Sequence, residues 1–128
     1  MNEARERELL EWLVDYLVRE REQAGGFAPG GLDELVRQGK APGASTQELW
    51  LAFRGLVNVR DAVPVDDALL AAQDELLRGL IEEAGVTRAE RTEAAPASIG
   101  VDAGRMRLWR GDIPTLAADA IVNAANSG

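Results

Sequence analysis

The sequence contains no cysteine and no histidine. The first absence excludes disulfides and fits a reducing compartment. Together they remove the two side chains from which most zinc sites are built. Without histidine there is also no imidazole to act as general base or as a member of a catalytic triad. Basic residues are in deficit: 14 Lys and Arg stand against 22 Asp and Glu, for a net charge of -8. A chain so poor in cations is not expected to bind nucleic acid, which needs clustered Lys and Arg against its phosphates. A nucleotide ligand is compatible with this balance, because backbone N–H groups at turns and helix ends bind pyrophosphate without side-chain cations. Long apolar runs are missing as well. No segment approaches the ~20 apolar residues of a membrane span. Met1 to Glu11 is charged where a signal peptide would be apolar. A cytoplasmic location and no membrane partner are therefore expected.

What is present is enough for a packed core. Hydrophobic residues make up 46% of 128, which argues against wholesale disorder. Residues 3 to 23 read as an amphipathic helix, with Leu9, Leu10, Leu13, Leu17 and Val18 at helical spacing. Gly25 to Gly31 ends it, and Leu32 to Gln38 predicts one or two further turns closed by Gly39. Ser45 and Glu48 form a capping-box pattern ahead of a helix through Leu49, Trp50, Phe53, Leu56 and Val57. Pro64 suits the start of a fourth helix, with Asp66 and Asp67 at its N-terminus. Leu69, Leu70, Leu76, Leu77, Leu80 and Ile81 make its apolar stripe, and Gly85 its C-terminal cap. Trp12, Trp50 and Phe53 are expected in the core. Asp66/Asp67 and Glu82/Glu83 are sequence neighbours, so they point to different sides of a helix and make no shared acid–base pair.

Beyond Gly85 the character changes. Val86 to Arg105 is rich in Thr, Ala, Pro, Ser and Gly and reads as a linker. Met106, Leu108 and Trp109 predict a short strand, and Ala120 to Ala124 a second, buried one. The expected organisation is a helical module over 1–85, a linker over 86–105, and the first pieces of an α/β domain over 106–128. The fold class is thus α+β.

The stretch that carries chemistry is Leu108-Trp109-Arg110-Gly111-Asp112-Ile113-Pro114-Thr115-Leu116, followed by Asp119 to Gly128. Asp112 follows a strand end. Its carboxylate only accepts hydrogen bonds and suits an exocyclic amine such as that of adenine. The N–H of Ile113 suits a ring nitrogen beside that amine. Asn126 both donates and accepts, as a ribose diol requires, and small Ala124 and Ala125 allow a close approach. Ligands of open α/β sheets usually sit at such strand ends. On spacing alone, Asp112 reads first as a helix cap, and Asn123 and Asn126 as turn formers.

The pattern G-D-I at Gly111 to Ile113, then D-A-I-V-N-A-A-N at Asp119 to Asn126, resembles the start of the macrodomain family, an α/β/α fold that binds ADP-ribose. Upstream, Arg54-Gly55-Leu56-Val57-Asn58-Val59-Arg60 and Gln73-Asp74-Glu75-Leu76-Leu77 resemble the helical extension of one branch, the zinc-dependent protein-ADP-ribose hydrolases. The resemblance covers roughly residues 48 to 128. It departs at Pro114, where many members carry Thr.

The resemblance implies that Asp112 binds the adenine amine and that Ile113 contacts adenine through its backbone. It places Asn126 near the distal ribose, in a catalytic role that orients the ribose or a water. The activity implied is removal of ADP-ribose from mono-ADP-ribosylated proteins, with ADP-ribose and the modified protein as partners. The implied cofactor is zinc, whose Cys and His ligands follow the N-A-A-N segment in the family. No metal ligand is therefore expected among these 128 residues. The macrodomain is expected to be incomplete at Gly128, and this chain alone inactive. Two other classes are consistent with the sequence: a non-catalytic ADP-ribose reader, and a helical interaction module. Asn58, Arg60, Gln73 and Asp74 are expected to hydrogen-bond one another or to tie the helices to the sheet rather than to touch ligand.

Overall fold

A computed structural model describes residues 1–94, 96, 98, 100 and 103–122. The fold class is α+β, with four helices followed by short strands. The chain divides into two compact units, Met1–Leu80 and Ile81–Gly128.

The first unit is built around helix α1, Glu3–Gln23. Asn2 caps it by accepting from the Arg5 N–H at 2.8 Å, and Glu3 and Glu6 stand in the first turn, where negative charge is favoured. Its buried residues are Leu9, Leu10, Leu13, Val14, Leu17 and Val18. They form two adjacent rows, so the buried face is wide enough to meet partners on two sides. Trp12 lies beyond the edge of this face. It is 42% exposed and stacks on Tyr16 with ring centroids 5.4 Å apart, so it is not the core residue expected of it.

Helices α2, Gly31–Gly39, and α3, Thr46–Asn58, pack on one side of α1. The expected capping box is present. The Glu48 N–H donates to Ser45 Oγ at 3.2 Å, and the Ser45 N–H donates to Glu48 Oε2 at 2.7 Å. Those bonds hold the Glu48 carboxyl below its usual range. Leu49, Ala52, Phe53 and Leu56 are buried. Trp50 is partly buried, packs edge-on against Phe53, and donates its indole N–H to Glu6 at 2.7 Å. Helices α2 and α3 approach closely at Gly39. A Cβ there would stand 2.8 Å from the Cβ of Ala52 and 3.2 Å from the Glu48 carbonyl oxygen.

Helix α4, Asp67–Ala84, starts three residues after Pro64. Arg60 explains the delay. Its guanidinium takes the carbonyls of Val63 and Pro64 at 3.3 and 3.2 Å, which keeps that segment out of a helix. Asp66 then does the capping, accepting from the Ala68 N–H at 2.7 Å. α4 runs antiparallel to α1: Met1 lies against Gly79, and Arg5 grips Glu75 through two bonds of 2.7 and 2.8 Å. Leu69 and Leu76 are buried, but Leu70 and Leu77 are 43% and 40% exposed, so the buried stripe is narrower than the sequence predicts. Gly85 ends the helix as expected, with φ +80 and its N–H on the Ile81 carbonyl at 2.9 Å.

In the second unit, β1 (Thr87–Arg88) pairs in parallel with β4 (Leu116–Ala117), and β2 (Glu93–Ala94) pairs antiparallel with β3 (Arg107–Leu108). The stretch read as a linker thus supplies one strand to each pair. The strand predicted around Leu108 is present as β3. Ala120 to Val122 of the predicted buried strand are not in a strand, and Ile121 and Val122 are 63% and 97% exposed. A buried strand needs pairing partners and covered faces, and the described residues give this one neither.

Gly39→Ala is expected to destabilise the first unit. The gain in helix propensity, at most ~1 kcal/mol near a helix end, is outweighed by overpacking of about 1–3 kcal/mol, since both blocking atoms belong to the rigid frame of α3. Gly31→Ala, which meets nothing within 4 Å, is expected to be neutral or slightly stabilising. Urea unfolding of the two variants distinguishes these outcomes. A second expectation concerns acid. Arg5 holds the Glu75 carboxyl below its ordinary 4.5. The associated stability is complete above that ordinary value and is lost as pH falls through the lowered one. The stability difference between wild type and Glu75→Gln should therefore be flat above about pH 5 and shrink below 4.5 when unfolding is followed against pH.

Candidate functional site

Strand β3 delivers the chain to Trp109 through Thr115. Trp109 is partly buried, while Met106 to Leu108 and Arg110 to Pro114 are exposed. The indole lies against the backbone of Gly111. A Cβ on that glycine would collide with the ring, standing 2.7 Å from Cη2 and closer still to Cζ2. Only glycine lets the ring settle there.

Asp112 follows with extended backbone, φ -82 and ψ 118, at the head of a 3₁₀ turn over Ile113–Thr115. Its carbonyl oxygen accepts twice from Thr115, from the N–H at 2.9 Å and from the hydroxyl at 2.6 Å. Its carboxylate makes no capping bond to the turn. Of the two roles open to Asp112 in the sequence, the capping one is therefore not taken up by the side chain. Ile113 is the first residue of the turn, so its N–H has no partner inside it. The turn thus presents an exposed acceptor, the Asp112 carboxylate, next to the Ile113 N–H, a donor with no partner among the described residues. Adenine offers the complementary pair along one edge: an amine that donates and a ring nitrogen that accepts.

Asn126, together with Asn123, Ala124 and Ala125, lies outside the described residues. Asp112 and Ile113 are therefore the sequence-predicted site residues that the structure places together. The helical motifs divide. Leu56 is buried in the first-unit core, and Arg60 forms a half-buried bidentate pair with Glu20, both bonds 2.8 Å long. That pairing holds the guanidinium above its already high ordinary range. Arg60 is thus a structural tie, but it joins α1 to the segment after α3 rather than, as expected, bonding its fellow motif residues or the sheet. Arg54, Asn58 and Asp74 are exposed, and Gln73 is partly buried.

Zinc does not fit these residues. The chain has neither Cys nor His, and among the described residues no group of three Asp or Glu side chains is placed to hold a metal ion. Nor, among the described residues, is any helix long and apolar enough to cross a membrane. Sequence reasoning gave no role to Thr115 or to the Trp109–Gly111 contact. The D-x-x-T spacing was a usable signal for the first, because Thr hydroxyls commonly reach the carbonyl three residues back.

The outward-facing acceptor–donor pair at Asp112 and Ile113 belongs to a chain whose relatives point the same way. The chain is similar to protein-ADP-ribose hydrolases. It is 39% identical over 118 residues to the protein of that name from Staphylococcus aureus strain COL, a match that takes in 92% of this chain and 37% of the relative. The same figures hold for strain MRSA252. A protein-ADP-ribose hydrolase of Treponema medium is 36% identical over 118 residues, covering 91% of this chain and 39% of its own length. The chain therefore spans less than two fifths of the curated relatives it matches. No family model matches it, and no solved structure does.

Proposed function

We propose that this chain serves a protein-ADP-ribose hydrolase of the zinc-dependent macrodomain branch and contributes the adenine side of its ADP-ribose site. The observation that carries the reading is the Asp112–Ile113 turn. It leaves an acceptor and a donor side by side and free of other duties, in a chain similar over nine tenths of its length to proteins bearing the hydrolase name. Asp112 accepts from the adenine amine, and the Ile113 N–H donates to the neighbouring ring nitrogen. Asn126 faces the distal ribose, where water replaces the protein side chain and frees ADP-ribose. The partners are ADP-ribose and a mono-ADP-ribosylated protein. Zinc belongs to the same reading as cofactor of the complete enzyme. Because the residues present do not fit it, no step is assigned to them through the metal. The helical unit, 1–85 in this reading, extends the macrodomain that begins at residue 106.

The test is calorimetric titration with ADP-ribose and with its hypoxanthine analogue, which lacks the amine. Wild type should prefer ADP-ribose. Asp112→Ala should weaken ADP-ribose about tenfold to a hundredfold, the worth of one hydrogen bond to a charged acceptor, and should bind the two ligands alike. Equal affinities for both ligands in the wild type would sink the adenine assignment. The same chain, offered mono-ADP-ribosylated protein with zinc, should release no ADP-ribose above the uncatalysed background. Release that depends on added zinc would contradict the poor fit of these residues to the metal.

A further inference from the structure

The adenine reading leaves open how an exposed carboxylate is kept in one place. Among the described residues of the second unit, Thr92 is the buried one, and none of residues 104–122 is buried. Packing therefore does not aim Asp112. An exposed Asp on an unsupported loop would sample several rotamers and backbone states, and ordering it on binding would cost affinity. Yet the backbone on either side of Asp112 is restrained. Before it, the Trp109 ring occupies the space that any side chain at Gly111 would need. At Asp112 itself, both donors of Thr115 converge on the carbonyl oxygen, at 2.9 and 2.6 Å. Between them, Pro114 fixes φ inside the turn.

We infer that Thr115 is a positioning residue: through the two hydrogen bonds it donates to the Asp112 carbonyl it presets the angle at which that carboxylate meets the ligand, and so sets the preference for an amine-bearing purine. The inference rests on the adenine reading above. It adds a residue that touches no ligand and acts through Asp112. The Thr115 hydroxyl spends its proton on the backbone, so its loss does more than remove a surface polar group. It releases one of two restraints on the carbonyl and leaves the Thr115 N–H to hold the turn alone. Trp109 over Gly111 supplies the opposing restraint, and the two should act on the same observable.

Thr115→Val removes the hydroxyl at nearly constant shape, and Thr115→Ser restores it. The first readout needs no ligand. In Thr115→Val, the Asp112 carbonyl carbon should shift in the NMR spectrum and the Thr115 amide should exchange faster, while Thr115→Ser stays close to wild type. The second is the ratio of ADP-ribose affinity to that of the hypoxanthine analogue. Where wild type shows about tenfold or more, Thr115→Val should fall at least threefold towards unity and Thr115→Ser should keep the ratio. Gly111→Ala, which displaces the indole, should lower the same ratio if Thr115→Val proves too poorly folded to read. An unchanged Asp112 carbonyl in Thr115→Val overturns the inference by itself, and so does an unchanged ratio. A wild-type chain that treats both ligands alike overturns the adenine reading, and this role with it, whatever the Thr115 variants do.

Discussion

Leu10 and Leu13 of α1 and Leu76 of α4 share one hydrophobic core with no exposed surface left on any of the three. Everything regular in the first unit depends on that burial. Removing one such leucine from water is worth roughly 1.5–3 kcal/mol, and α1 offers two rows of apolar side chains rather than one. A single row would need one partner. Two rows serve more than one partner, and α2, α3 and α4 all contribute buried residues to the same core. The ion pairs come afterwards. Arg5 with Glu75 and Arg60 with Glu20 join residues that packing has already brought near, and they fix how the helices are set along one another. Both are bidentate, the geometry in which an exposed or half-exposed pair contributes most.

The second unit works by other means. Its described residues bury almost nothing, so its shape comes from hydrogen bonds between short segments and within turns. Two-residue strands are marginal elements in water. Within such a unit, local devices such as the Thr115 bonds to Asp112 and the ring of Trp109 on Gly111 take the place that a core has elsewhere. An exposed carboxylate such as that of Asp112 has no core to order it, and a local restraint takes that place.

The helices were largely legible in the sequence. The 3.6-residue period over Leu9 to Val18, the Ser45–Glu48 box and the Gly85 cap are local signals, and α1, α3 and the end of α4 follow them. What the sequence hid depends on distant partners. Pro64 looked like a helix start because nothing nearby reveals that Arg60, anchored by Glu20, takes the carbonyls that follow. Trp12 looked like core because hydrophobicity does not show on which side of a stripe's edge a ring falls. The strands inside the stretch read as a linker pair with partners far along the chain, and two-residue elements carry no period to detect. At the candidate site, Gly111, Asp112 and Ile113 were legible from their chemistry and order. The restraints on them were not, since a ring over a glycine and a hydroxyl reaching back three residues are matters of geometry.

The pairing of the second unit is nested. Glu93–Ala94 with Arg107–Leu108 lies wholly inside the span between Thr87–Arg88 and Leu116–Ala117. The outer pair is parallel, so it requires a long crossing connection, and closing a long loop is entropically dearer than closing a short one. The inner antiparallel pair takes the middle of that loop out of the free chain and leaves the outer pair only the short segments on either side to close. The inner pair thus lowers the entropic cost of the outer one. Thr115 stands one residue before β4, so the turn that holds the Asp112 carbonyl is joined directly to the outer pair.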